Sequence, residues 1–322
     1  VVSSDQQGHY IPSTPLHIIE GDQFYGFLSD KLPKESYPAP IATPLTWIPH
    51  AVNASALSQV WLVDAQMGPL NDQMVQICFN QPDLLRVLWN HRGAKPQASV
   101  VSVAKGFATP PLNGSVNPVD GQLYIAGFQI AGWGNTLDTL TGIERVRYTG
   151  APSLTPREII PTDRGILLRF DVALDPAKAA NPESYSLATW RYKRAPSYGS
   201  AQYKADGKTG NDWLTASSAY VSLDGKSVFI GVLGLKPVEQ CARGHAIDRQ
   251  AMRRLIGADR GRCLCAHPAV EPVREISGFA QSMLDQENQA FIGGGAGHGL
   301  RRRRLQRGTR LVGCAWRRLR RR

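Results

Sequence analysis

The sequence predicts an all-β protein, and three observations carry that expectation. Apolar residues cluster in runs of four to eight that are rich in Val, Ile, Tyr, Phe and Trp. Turn-forming residues bound these runs, as in "GPLND" and "NQPD". No long window keeps the 3.6-residue period of a capped amphipathic helix. Many short strands at even spacing fit a sandwich, a barrel or a propeller.

The chain opens on what reads as a strand end inside a domain, so the missing leader peptide carries no information. Strands are then expected at Gln23–Leu28, Ser58–Asp64, Met74–Phe79, Leu84–Trp89, Ala98–Ala104 and Gly121–Phe128. The stretch "YPAPIATPLTWIP" reads as a long surface loop, because proline lacks an N–H and fixes φ. Residues 148–162, "YTGAPSLTPREIIPT", carry Pro152, Pro156 and Pro161 and read as a linker. In "GILLRFDVAL", Ile166, Leu168, Phe170 and Val172 alternate with their neighbours, which puts one strand face toward a core. A loop or short turn follows, then an aromatic strand with Tyr185, Leu187, Trp190 and Tyr192. Two more strands flank the turn Asp224–Gly225. Residues 163–240 therefore fit an immunoglobulin-like β-sandwich whose last strand is due after "LKPVEQ".

The pattern stops at residue 240. Residues 1–240 hold 19 basic and 20 acidic side chains, whereas residues 241–322 hold 18 Arg, no Lys and 6 acidic side chains. The overall charge of +11 is thus a property of the last quarter, and the first 240 residues have no electrostatic reason to seek phosphate. Arg, Cys, Gly and Ala without Lys or Tyr is what a GC-rich frame yields when translated out of register. Cys241-Ala242-Arg243-Gly244-His245 can be encoded TGC GCG CGT GGG CAY. An A placed in front makes the same bases read Met-Arg-Ala-Trp-Ala, a fitting continuation of a strand. Residues 241–322 are therefore expected to be an out-of-frame or disordered tail, irregular or partly helical, which leaves the sandwich without its last strand. A tail that grips nucleic acid by counterion release is the weaker alternative.

Few residues point to chemistry. Cys263, Cys265 and His267 in "CLCAH" miss the Cys-x-x-Cys-His spacing of haem attachment by one at each step, and no fourth zinc ligand stands nearby. The glycine run Ile292–Gly299 lacks the spacing and the lysine of a phosphate loop. His9, His17, His50 and His91 are scattered, and there is no GxSxG and no HExxH. Asp5, Asp22 and Asp64 could line a polar cavity, although Asp in turns mostly serves the turn. Asn53 and Asn113 head glycosylation-type triplets too short to mean much. Trp47, Trp61, Trp89, Trp133, Trp190 and Trp213 are not interleaved with Lys or Arg and read as packing groups. Cys78, alone before residue 240, makes no disulfide framework. No apolar run reaches the length of a membrane span. Catalytic and cofactor-binding residues are not identified from the sequence, and no metal site is expected.

Two runs carry a resemblance. "NPVDGQLYIAGFQIAGWGN" followed by "RVRYTG" resembles the last blade of the sorbosone/glucose-dehydrogenase-like β-propeller of large secreted planctomycete and verrucomicrobial proteins. "SSDQQGHYIPSTPLHIIEGDQFYGF" resembles an earlier blade, and residues 165–240 are similar to the β-sandwich that follows that propeller. The resemblance implies that residues 1–147 are a partial propeller and that the chain is secreted or periplasmic. It implies a relative of quinone-dependent sugar dehydrogenases, with pyrroloquinoline quinone (PQQ) and calcium as cofactors of full-length members. Haem would belong only to a separate c-type cytochrome domain, and the partner in the full protein would be an electron acceptor or such a cytochrome domain. The fragment by itself is expected to hold no cofactor and to be inactive. The alternative is a non-catalytic propeller and sandwich that binds carbohydrate or scaffolds a partner. Nucleic acid is not an expected partner.

Limited trypsin digestion is expected to remove the Arg-rich end quickly and leave a core that ends near Gln240. Its protection in the absence of any polyanion overturns both the out-of-frame and the disordered-tail readings.

Overall fold

The computed structural model describes residues 1–26, 41–92, 95–129, 139–153 and 155–236, together with the backbone of Gln240–Arg243 and Ala269–Pro272. Among these residues the chain is all-β, with antiparallel sheets of three or four strands and none closed. Val1–Val273 form one compact unit. Trp133, the Cys263–Cys265–His267 group, Ile292–Gly299 and the Arg-rich end lie outside the described residues.

Three sheets stack in the first half. Strands β1 (Val2–Ser4), β2 (Thr14–Ile18) and β3 (Thr46–Ile48) form the first. The second is an up-and-down meander of β4 (Ala56–Trp61), β5 (Met74–Cys78), β6 (Asp83–Asn90) and β7 (Gln97–Lys105). The third contains β8 (Pro111–Val116), β9 (Leu123–Phe128) and β10 (Thr141–Arg147). The middle sheet is buried on both faces. Its Met74, Val87 and Ala98 pack with Leu16 and Leu45 on one side. Its Val75, Ile77, Leu84 and Val103 pack with Leu123, Ile125 and Val146 on the other. Two buried faces explain why "MVQIC" and "LLRVL" are nearly continuous apolar runs rather than alternating ones.

Two buried polar side chains tie loops to this stack. Glu144 on β10 accepts from the Ala108 and Thr109 amides at 3.0–3.1 Å, and so ties the 107–109 loop to the third sheet. Arg86, the largest fully buried side chain, donates from Nε to Gln73 Oε1 at 2.5 Å and from a terminal nitrogen to Pro69 O at 3.3 Å. It thereby pins the Gly68–Leu70 turn to the middle sheet. Cys78 lies in the interior, where burial and then the Asp83 carboxylate push its thiol well above the ordinary value; it is an inert core group.

The second half is two facing sheets. One orders β11 (Glu158–Thr162), β12 (Gly165–Arg169), β16 (Ser227–Gly231) and β15 (Ser218–Val221) side by side. The other places β13 (Ser186–Trp190) between β14 (Asp212–Thr215) and β17 (Gln240–Arg243). Ile166, Leu168, Phe170, Tyr185, Leu187, Val228 and Ile230 fill the space between them. Val172, the fourth member of the expected alternating face, falls after β12 and is half-buried. A short helix, α1 (Pro176–Ala179), starts at Asp175, whose carboxylate accepts from the Ala177 and Lys178 amides. Its Ala179 is buried in the same core, and Ala179 O accepts from the Tyr185 hydroxyl at 2.8 Å.

Several elements differ from the sequence expectation, each for a physical reason. The stretch assigned to a linker, residues 148–162, ends in β11, a sheet edge where Pro161 forfeits no ladder bond that the sheet needs. The Asp163–Arg164 turn joins β11 to β12, and Gly165 closes it with φ of 155°; a Cβ there would lie 2.0 Å from Ile230 O. The proline-rich stretch assigned to a loop contains β3, whose Trp47 and Ile48 are buried. Residues 23–26 of the expected first strand are not strand; Gly26 there has φ of 105°. The sandwich expected to lack its last strand has Gln240–Arg243 antiparallel to β13, and β18 (Ala269–Pro272) pairs with β10. Backbone pairing needs only an N–H and a C=O per residue, so it places few demands on which side chains follow residue 240.

Asp83 gives this fold a pH dependence. It is buried, bonded to Ser102 at 2.8 Å and 3.4 Å from Lys105 Nζ. Burial raises its carboxyl from the ordinary 3.8 to about 6 against the pull of Lys105. A raised carboxyl favours the protonated form in the fold. Its stabilisation is therefore complete below pH 4 and lost as pH rises through about 6. Asp83→Asn is expected to remove that term. The stability difference, wild type minus variant, should fall by up to about 3 kcal/mol between pH 4 and 7 in urea unfolding. A difference that is flat over this range refutes the assignment.

Candidate functional site

The stretch Asp5–Ile11 folds as a turn that docks on the second half of the chain. Gly8 and Ile11 exchange backbone bonds, and Tyr10 between them takes φ of 62°. Tyr10 N donates to Ala195 O, Gly199 N to Gly8 O and Ser200 N to Pro12 O, at 2.8–3.1 Å. His9 Nδ1 donates to Pro196 O at 2.5 Å. Below this clasp Ile11 and Trp47 pack with Ala188, Trp190 and Tyr192. Arg194 lies 5.3 Å over the Trp47 ring and donates to Ile41 O.

Beside the clasp is an open cleft of about 450 Å³, lined by Asp5, Gln6, Gln7, Gly8, His9, Ile11 and Tyr198. Its polar groups are oriented from behind. Gln6 donates to Ser55 Oγ and Ala56 O, and the Gln7 carboxamide accepts from His50 Nδ1 at 2.9 Å. Asp5 accepts from the Gln6 amide at 2.7 Å. The Tyr198 ring stands at 88° to His9 and is 64% exposed. One carboxylate, two carboxamides, an imidazole and an open aromatic face thus converge on one concave surface. Such a surface can hold hydroxyl groups by paired hydrogen bonds and an apolar ring face by stacking.

The sequence candidates divide around this cleft. Asp5 and His9 line it, and His50 supports it through Gln7. Gln6, Gln7 and Tyr198 had no signal of their own. Asp22 and Asp64 are exposed turn residues with φ of 60° and 55°, a conformation Asp tolerates better than most residues. His91 stacks on Trp89, and Trp89 on Trp61, with ring centroids 5.7 and 5.9 Å apart. Trp47 and Trp190 are core groups, whereas Trp213 is exposed. Asn53 is fully buried with Oδ1 bonded to the Ser55 amide, so its triplet is closed to modification in the fold; Asn113 is exposed on β8.

His17 is the outlier. It is 3% exposed on β2, with neither ring nitrogen hydrogen-bonded, and its ring meets Tyr25 edge-on at 5.0 Å. Burial and then the Arg194 guanidinium lower it from 6.5 to about 4, against an opposing pull from Asp5.

Among the described residues no three His, Cys, Asp or Glu side chains gather as a metal site would require. The cleft does not fit PQQ either. The quinone's carboxylates call for cationic partners, and the charged group of fixed sign that lines the cleft is the Asp5 carboxylate. No helix among the described residues is long and apolar enough to cross a membrane. No protein-family model, no curated protein and no solved structure matches this chain.

Proposed function

We propose that this chain is a non-catalytic all-β binding module that takes carbohydrate in the Asp5–Tyr198 cleft. The observation that carries the reading is the lining. Asp5 and the Gln7 carboxamide offer acceptors and donors to vicinal hydroxyls, Gln6 being spent on Ser55 and Ala56, and Tyr198 offers an exposed ring to a pyranose face. The four-stranded meander β4–β7, stacked between two further sheets, supports a propeller-like arrangement for the first half, and the facing sheets of the second half support an immunoglobulin-like sandwich. A secreted or periplasmic location rests on the resemblance. So does the enzymatic reading, quinone-dependent sugar oxidation with an electron acceptor or a cytochrome domain in the full protein.

The cleft has direct tests. Binding of neutral mono- and oligosaccharides to the full chain, measured by titration calorimetry, is expected in the micromolar to millimolar range. Tyr198→Ala should weaken it at least tenfold with the circular dichroism spectrum unchanged. Gly199→Val should abolish it. Gly199 has φ of 69°, and a Cβ there would sit 3.1 Å from Gln7 Oε1. Absence of binding across neutral and acidic glycans, or binding that survives both substitutions, refutes the reading.

A further inference from the structure

We propose that Asn113–Gly114 on β8 is a built-in ageing site, where Asn113 loses its side-chain amide to attack by the Gly114 nitrogen and the edge of the third sheet comes loose. The proposal is independent of the cleft.

Asn113–Gly114 is the one Asn-Gly pair in the sequence. Asn113 is exposed, and β8 lies at the edge of its sheet, beside β9. At the end of this hairpin Asn117 N donates to Gln122 O at 2.9 Å. Alternation from that bond turns the Ser115 and Asn113 amides toward β9 and the Gly114 amide away from it. The ladder therefore makes no claim on the Gly114 nitrogen. It donates instead to Asn113 Oδ1 at 2.8 Å, and the carbonyl carbon Cγ is one covalent bond beyond that oxygen. A rotation about the side-chain bonds brings Cγ onto the nitrogen, so the reacting atoms are already neighbours. Glycine at 114 leaves the approach unhindered, and packing keeps it glycine, since a Cβ there would lie 2.8 Å from Tyr124 O.

The chemistry needs only water and base. Hydroxide takes the Gly114 amide proton, and the nitrogen adds to Cγ. The Cγ–Nδ2 bond then breaks, and the amide nitrogen leaves as ammonia, taking a proton back from water. The product is a cyclic imide, which water opens at either of its carbonyls. Opening at Cγ leaves an aspartate in an unaltered chain. Opening at the backbone carbonyl leaves isoaspartate, with the chain routed through Cβ and Cγ and longer by a methylene carbon. Strand β8 already absorbs one irregularity, the register shift between Pro111 and Asn113. A longer path just after it cannot keep Gly114 on Ile125 and Val116 on Leu123 together with Pro111 on Gly127. Ser58 Oγ holds the strand on one side by donating to Leu112 O at 3.1 Å, and Val116 holds it on the other by packing on the core. The segment between them, Asn113–Ser115, is what gives way.

Ageing the full chain in mildly alkaline buffer, followed by peptide mapping by mass, tests this. Position 113 should gain one mass unit, with isoaspartate among the products, while Asn53, Asn71 and Asn211, which precede Ala or Asp, keep their amides. The native rate should lie within about tenfold of the rate in the urea-unfolded chain, because the strand leaves the nucleophile free. In the isoaspartate-bearing fraction the Ser115 amide should lose hydrogen-exchange protection while Ile77 in the middle sheet stays protected. Freshly purified Asn113→Asp carries the charge without the extra carbon and should keep Ser115 protected. Asn113→Gln, whose longer side chain misplaces the carbonyl, should age without change at that position. A native rate slower than the unfolded one by roughly 10²-fold or more overturns the proposal, because the fold then shields the pair. Ser115 protection that survives isoaspartate, or that Asn113→Asp loses equally, overturns it too. So does a glycan on Asn113, the other fate that the Asn-Gly-Ser triplet allows.

Discussion

A sheet with two buried faces needs two covers, and that requirement organises the first half of this protein. Strands β5 and β6 carry almost no exposed side chain. Alone, the β4–β7 meander would present Met74, Leu85 and Val87 on one face and Val75, Ile77 and Leu84 on the other to water. At about 25 cal/mol per Å² of apolar surface, neither face can be left open. The β1–β3 sheet covers the first and the β8–β10 sheet the second. Arg86 makes the stack specific. Its guanidinium is buried, reaches Gln73 and Pro69 and feels the Asp171 carboxylate of the second half, so the meander can be approached from that side in few ways.

The same constraint explains what could be read in the sequence. "MVQICF" and "LLRVLW" announce buried strands because both side-chain sets are apolar. "GILLRF" announces a half-buried one because Ile166, Leu168 and Phe170 repeat with period two and Arg169 interrupts the apolar run. The covers were harder to see. "TPLHI" and "TWI" are short, and prolines stand in or beside them. Their strand character comes from pairing with each other and from lying on the middle sheet, Leu16 on Met74 and Val87 and Ile48 on Cys78 and Leu85, tertiary contacts that no local pattern encodes. "EIIPT" was hidden by Pro161, which is admissible only because β11 is an edge.

The cleft was legible as residue types and not as a place. Asp5 and His9 could be named as polar candidates, but their partner Tyr198 lies some 190 positions away in sequence. The turn at Gly8–Ile11 and the loop at Ala195–Ser200 meet only because β3 and β13 bring Trp47 near Trp190 and Tyr192. Sequence spacing carries no trace of that. Asn53 shows the converse. Its triplet is legible, but burial closes it in the fold.

His17 joins these two halves of the problem. A histidine on a strand face is usually hydrogen-bonded or exposed, and a buried ring with neither nitrogen paired costs free energy in the folded state. That cost is tolerable while the ring is neutral, because an uncharged imidazole beside Tyr25 behaves largely as a packing group. It ceases to be tolerable once the ring is charged, since Arg194 is fixed nearby by Trp47 and Ile41 O. Arg194 covers Trp47 and opposes a proton on His17 by its charge. The middle sheet has the opposite acid response, because buried Asp83 favours its protonated form. Acid thus acts in opposite senses on the two buried titratable groups, against the neutral packing of His17 and in favour of the protonated Asp83 in the sheet stack.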